Sequence, residues 1–306
     1  MPSQTEKTLR NKSEQIGILC VIVAGCLWGL GGIVGQYALQ YKHIQVEWMI
    51  VIRMGLPGIL LLLFSYQRYG YEIFTPFQNK LEAFRLIVLA IAGMWISQLT
   101  FYLAIQYSNA ATATILQYLY PAIIAIFLTI QLKKLPSLAM IVAIILSIIG
   151  AFLLVTNGHF DEIVLPINAL LFGLASAITS AIYTLYSVPL LLKHNTIIIA
   201  GWSMFIGAII ANFFHPFWRI TNNLDIEAWL AILFVIFIGG MVGFVLFLVG
   251  IKRIGGAKGS VLSTIEPLAT VIFSVLILKI NFTISDWIGA ACIIMMILLL
   301  SIKKSS

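Results

Sequence analysis

Apolar residues along this chain run in long blocks rather than alternating or striping one helical face. A helix that is apolar all round belongs inside a large core or a bilayer. Blocks of about 20 such residues match a hydrocarbon layer roughly 30 Å thick. Charged, Pro-rich and Asn-rich breaks divide the chain into ten spans: Ile16–Leu39, Glu47–Tyr66, Arg85–Tyr107, Ala110–Leu132, Ser137–Val155, Leu165–Leu192, Ile197–Phe214, Ala228–Ile251, Gly256–Leu278 and Trp287–Ile302. Two breaks are tight, Ser108-Asn109 and Gly255-Gly256. They leave no room for a domain outside the membrane.

Composition agrees. Hydrophobic residues make up 61% of the chain and charged residues 9%, against about 25% charged in soluble domains. The net charge of +7 forms no patch of the kind nucleic acid requires, so no nucleic-acid partner is expected. The basic residues sit in short loops, where they orient a membrane protein. With the N-terminus placed in the cytoplasm, inner segments hold fourteen Lys and Arg, outer loops hold only Lys42, Arg219 and Lys279, and Arg53 lies within a span. The sequence therefore predicts a multi-pass protein of a bacterial cell (plasma) membrane with both termini cytoplasmic. Residues 1–15 form a polar tail leading straight into the first span without a cleavage site, as a signal anchor does. Cys20, Cys26 and Cys292 all fall in apolar segments and form no CxxC pair, so they read as packing residues.

The chain also repeats. Phe101–Lys133 lies over Phe247–Lys279 without a gap, at an offset of 247 − 101 = 146. Pro121 meets Pro267, Ala111 meets Ala257, and Leu132-Lys133 meets Leu278-Lys279. Five spans per repeat is an odd number, so the halves, residues 16–155 and 165–302, must run in opposite senses. The expected fold is an all-α membrane protein of ten transmembrane helices in two inverted five-helix repeats around a central cavity, the plan of many secondary transporters.

Candidate chemistry gathers at the matched prolines. A mid-helix proline frees a carbonyl four residues back and opens a kink, which makes Pro121 and Pro267 candidate gating points. Beside them run the stripes Thr114, Gln117, Tyr118, Pro121 and Ser260, Ser263, Thr264, Pro267. Lipid cannot satisfy such polar groups, so they either line a cavity or bond between helices. Glu266 is the acid deep in a span. A charge there costs at least ~2.5 kcal/mol, so it either binds a cation or proton or pins the helix by hydrogen bonds. Arg53 either snorkels outward or forms an ion pair with Glu266 or a substrate carboxylate. Trp95, Gln98 and Tyr102 read as one face of the third span, and Ser176, Thr179, Ser180, Tyr183 and Ser187 as a polar strip on the sixth. Gly25, Gly29, Gly32 and Gln36 mark a close-packed face of the first span, with Trp28 beside it. By the offset, Trp95, Gln98 and Tyr102 correspond to Met241, Phe244 and Leu248, so the cavity should be polar on one side and apolar on the other. His43, His159, His194 and His215 lie at span ends or in loops. There is no HExxH, no Walker A loop and no Ser/His arrangement. An enzyme is therefore not expected, and neither is a cofactor or a metal.

These residues resemble the drug/metabolite transporter superfamily, in particular its EamA-type members. In the first copy the resemblance rests on Leu27-Trp28-Gly29, Arg53, Leu119-Tyr120-Pro121 and Gly150-Ala151-Phe152-Leu153-Leu154. In the second it rests on Ser263-Thr264-Ile265-Glu266-Pro267-Leu268 and Asp286-Trp287-Ile288-Gly289-Ala290. The family often ends its fourth and ninth spans with Gly-Glu, where this chain has Lys134 and Ile280. The resemblance implies a transporter of amino acids, amines or related small metabolites, often an exporter. On this reading Gln98, Tyr102, Gln117, Tyr118, Tyr183, Ser263 and Thr264 hold substrate, Trp28 and Trp95 wall it, and Glu266 takes a coupled proton or cation. The rival readings are an uptake transporter and a non-transporting receptor or scaffold. A monomer and a homodimer are equally compatible with the sequence.

Overall fold

The computed structural model describes residues 4–133, 137–159, 163–220, 224–254, 259, 262 and 264–302. Ser260, Ser263, Lys134 and the Gly255-Gly256 turn lie outside the described residues. Among the described residues there are helices and no strands. The helices are α1 Gln4–Gln40, α2 Val46–Tyr69, α3 Lys80–Tyr107, α4 Ala110–Gln117, α5 Tyr120–Leu132, α6 Leu138–Thr156, α7 Ile167–Leu191, α8 Thr196–Phe214, α9 Ile226–Ile254, α10 Ile265–Leu278 and α11 Ile284–Ile302. A short 3₁₀ segment, Gly70–Phe77, extends α2. Eight stretches are long and apolar enough to cross a membrane, and α10 and α11 are shorter apolar helices. Helix α1 starts at Gln4, so the expected polar tail is helical from that point.

The solvent-side pattern is inverted relative to a soluble protein. Phe213, Ile130, Leu276, Ile148 and Leu63 are exposed, while Ser176, Thr114, Thr270, Ser274 and Ser203 are buried. Hydrocarbon accepts the first group; in the second, Ser176 bonds Gln117 of another helix, and Thr270 and Ser203 bond carbonyls of their own helices.

Helix ends are set by local chemistry. Asn79, Asn109, Ser137, Asn195 and Asp225 cap helix starts by accepting backbone amide hydrogen bonds, as short polar side chains do. Lys133 and Lys279, equivalent by the 146-residue offset, close α5 and α10 in the left-handed conformation with φ of 50° and 54°. The offset recurs inside the helices too. Helix α3 winds as a π-helix over Leu89–Ile96, and α9 does so over Phe234–Val242.

The two halves exchange contacts reciprocally. Helix α1 packs on α9 and α10, while α7 packs on α3, α4 and α5. Helices α2 and α8 pair with each other, as do α6 and α11. Each principal contact between halves therefore recurs with the halves swapped. Gly25 and Gly29 of α1 lie against Ile265 and Thr270 of α10, where a side chain would collide, which is the close packing that small residues permit.

Each proline of the expected kinks falls at a helix start. Tyr118 and Leu119 leave the helical path between α4 and α5, and Pro121 falls at the start of α5. Proline lacks the N–H that a first helical turn does not need, so the chain restarts a helix there rather than bending through it. Pro267 likewise sits in the first turn of α10, after the turn at Thr264.

Loops also meet in two sets. Lys42, Gln45 and Trp48 at the α1–α2 connection bond to Asp225, Glu227, His215 and Phe217 near the α8–α9 connection. Gln36 and Gln40 of α1 bond the α3–α4 turn at Ala110 and Ser108, and Asn157 meets Thr283. All these loops are outer by the charge count. Glu82 and Thr75 meet Lys193 and His194, and all four are inner by the same count.

Candidate functional site

One cavity of about 300 Å³ lies where the halves meet, at the lower end of the size usual for small-molecule pockets. Its wall is drawn from α1, α2, α3, α4, α7, α8, α9 and α10. Trp28, Arg53, Gln98, Tyr102, Gln117, Tyr183 and Glu266 all face it. These seven come from both repeats and are brought together by the reciprocal packing.

Arg53 projects from α2 and does not snorkel. Its Nη1 donates to Oε1 of Gln98, and its guanidinium carbon lies 5.1 Å from the centroid of the Tyr102 ring. That stacking holds a cation against an aromatic face. Among the described residues the buried Nε of Arg53 has no hydrogen-bond partner. Tyr102 itself is 1% exposed and forms a fixed floor.

Glu266 approaches from the first turn of α10. Its Oε2 accepts a 2.8 Å hydrogen bond from the hydroxyl of Tyr118. Among the described residues Arg53 and Glu266 form no direct ion pair, although both line the cavity. The cavity thus presents a fixed cation and a fixed carboxyl, each held by its own scaffold.

The remaining polar groups are tied down. Gln117 donates to Ser176 at 2.8 Å, and Ser97 and Ser180 lie 3.1 Å apart. The α9 side is apolar, with Ile236, Met241 and Phe244 facing α3 residues Ser97, Gln98 and Tyr102. The Trp28 ring packs at a tilt against Phe247, with ring centroids 5.1 Å apart.

Other expected site residues fall elsewhere. Trp95 does not line the cavity; it stacks on Phe214 at 5.1 Å. The π turn just before Ser97 rotates the helix face, so Met94 and Gly93 continue the wall below Ser97 and Gln98. Tyr118 and Thr264 are buried beside the cavity rather than in its lining, with Tyr118 acting through Glu266. Pro121 and Pro267 are also off the wall. Sequence reasoning passed over Met54, Pro57, Met94, Phe101 and Met204, which do line it. Apolar residues carry no signal in an apolar helix. Gly93 and Gly239 had one, since they match at the 146-residue offset, and the structure places both in π turns.

The family profile described as "EamA-like transporter family" matches residues 15–156 and again residues 167–302. A Salmonella typhimurium protein described as "Uncharacterized inner membrane transporter YicL" is 36% identical over 292 residues, which cover 95% of this chain and 97% of that protein. The Bacillus subtilis "Uncharacterized transporter YyaM" is 26% identical over 227 residues, 72% of this chain and 73% of that one. A solved crystal structure, 16% identical, covers 95% of this chain and 99% of its own with a TM-score of 0.63, a likeness of fold.

Proposed function

The chain belongs to the EamA-like transporter family, and from that membership we propose a secondary exporter of small metabolites that works by alternating access. The substrates are amino acids, amines or related compounds. The observation that carries this class is the placement of Arg53 and Glu266 on one cavity without pairing to each other. A guanidinium with a free buried donor suits a carboxylate, and a carboxylate suits an ammonium. The cavity's size suits a single small metabolite, and Met54, Met94, Met204, Met241 and Phe244 would receive its apolar portion, since methionine fills irregular shapes. Gln98, Tyr102, Gln117 and Tyr183 would orient it, and Glu266 would take the amine or a coupled proton or cation.

The proposal includes ten crossings, five in each of two inverted repeats, with both termini cytoplasmic. The fourteen-to-three charge bias supports it. The loop contacts described above, each between loops of the same assigned side, support it too. The description of the Salmonella relative as an inner membrane transporter supports a bacterial cell membrane. Export follows the family resemblance.

Purified full-length protein in proteoliposomes tests this reading. Labelled amino acids and amines are expected to exchange across the membrane, and compounds carrying both groups should raise the melting temperature more than compounds carrying one. Uptake in cells would correct the direction. Absence of both exchange and ligand stabilisation across the panel would favour a receptor or scaffold.

A further inference from the structure

Among the described residues, a charged clasp joins the repeats on each face of the molecule, and both clasps follow one plan. On the face assigned to the outside, Lys42 follows α1. Its Nζ lies 2.7 Å from Asp225 and also pairs with Glu227. Tyr37 donates to the same Glu227 at 2.9 Å. On the opposite face Lys193 follows α7 and lies 2.7 Å from one oxygen of Glu82. His194 meets the other oxygen at 2.9 Å, and Thr75 lies 3.3 Å from its second ring nitrogen.

In both clasps a Lys-His pair that follows the first helix of one repeat, Lys42-His43 or Lys193-His194, stands at the gripping loop. The acids lie at the start of the third helix of the other repeat. Those starts are equivalent, because Asn79 and Asp225 cap them at the common offset, 225 − 79 = 146. Helices α3 and α9 are also the two that carry the π turns and much of the cavity wall.

A bland alternative is that these are solvated surface pairs, which contribute little. The geometry argues against it on the inner face. The side chains of Glu82 and His194 are each 10% exposed, so the carboxylate depends on both partners.

We propose that the two clasps are the alternating latches of the cavity. The Lys193–His194–Glu82 clasp closes it to the cytoplasm, the Lys42–Asp225–Glu227 clasp closes it to the outside, and each half-cycle breaks one while the other holds. This rests on the transporter reading and on the orientation given above. A contact made in one state and lost in another shifts the equilibrium by its differential free energy. Loss of one clasp should shift the balance roughly five-fold, the low end of coupling between linked elements.

The test uses full-length protein in native membranes, with Cys20, Cys26 and Cys292 replaced by alanine and a single reporter, Met241→Cys, on the cavity wall. A membrane-impermeant maleimide is applied from the outside in spheroplasts and from the cytoplasmic side in inverted vesicles. Glu82→Gln should raise cytoplasmic labelling about five-fold and lower outside labelling. Asp225→Asn with Glu227→Gln should do the reverse. Lys193→Ala, which removes an exposed side chain, repeats the inner test if Glu82→Gln fails to insert. Unchanged rates, or a rise from both faces, overturn the latches. Opposite shifts with both signs reversed keep the latches and overturn the orientation. Side-specific shifts in a protein that exchanges no labelled compound keep the latches and overturn the exporter reading.

Discussion

Tyr118 and Glu266 join the two places where the helical path breaks. The tyrosine occupies the turn between α4 and α5, and its hydroxyl reaches Oε2 of Glu266 at 2.8 Å. Glu266 stands in the first turn of α10, just after the turn at Thr264. The bond therefore crosses from one repeat to the other at the cavity.

Glu266→Gln tests what that carboxyl does. Glutamine keeps the size and an acceptor for Tyr118 while removing the charge. The variant is expected to insert and melt like the parent but to bind amine-bearing substrates at least about ten-fold more weakly. Glu266→Leu should in addition lower stability by about 1–3 kcal/mol, because a buried hydroxyl loses its acceptor. A glutamine variant with parental affinity would reduce Glu266 to a structural role.

Much of this arrangement is legible in sequence because it rests on rare residues. Pro121, Pro267, Glu266 and Arg53 stand out in apolar spans, and the matched prolines alone reveal the duplication. Positions within helices are less legible. Spacing by 3.6 residues groups Trp95 with Gln98 and Tyr102, but the π turn at Leu89–Ile96 changes the winding and sends Trp95 to Phe214. Nothing in Leu89–Ile96 announces that turn to a periodicity argument. The clasps at Lys42 and Lys193 are also silent in sequence, since their acids lie far along the chain and pairing depends on the reciprocal packing.

The prolines make a second test. Both sit in first turns, where no backbone donor is needed. Pro121→Ala and Pro267→Ala should leave insertion and melting close to the parent. Both should slow transport, because alanine lets the helix propagate back through the break. Parental transport rates in both variants would show that the breaks do not act as hinges.

Arg53 offers a third. Lysine in its place keeps the charge but loses the planar fork that engages Gln98, the Tyr102 face and a carboxylate together. Arg53→Lys should weaken carboxylate-bearing substrates by roughly ten-fold or more while leaving simple amines nearly unaffected, at about 1–3 kcal/mol for a charge-assisted bond. Equal losses for both ligand types in binding assays would argue for general disruption.

The outer clasp has a defined pH signature. Asp225 and then Glu227 hold the Lys42 ammonium above its usual range. The Lys42 ammonium, and next the Ala228 amide, hold the Asp225 carboxyl below its own. A lowered carboxyl stabilises the fold above its unfolded value, near about 4, and loses that contribution as pH falls. A raised amine stabilises below about 10.4 and loses its contribution as pH climbs. The melting-temperature gap between the parent and Lys42→Met should therefore be level from about pH 5 to 9 and shrink below about pH 4. A gap that persists undiminished in acid would mean that Lys42 acts through packing alone.

Two close helix approaches occur at equivalent glycines, since 239 − 93 = 146. A Cβ at Gly239 would stand 2.9 Å from the Gly31 Cα, and one at Gly93 would stand 2.9 Å from the Tyr183 Cα. Both obstacles are backbone, which cannot rotate aside, so α9 would be driven off α1 and α3 off α7. Gly239→Ala and Gly93→Ala should each cost about 1–3 kcal/mol through overpacking and widen the cavity they border. Gly55→Ala is the control, because its Cβ would meet only the Ala208 Cβ at 3.6 Å, an ordinary contact. Thermal unfolding of the three variants in one detergent separates these cases. If Gly239→Ala melts with Gly55→Ala and the parent, close contact between the repeats at the π turns is not what holds the cavity in shape.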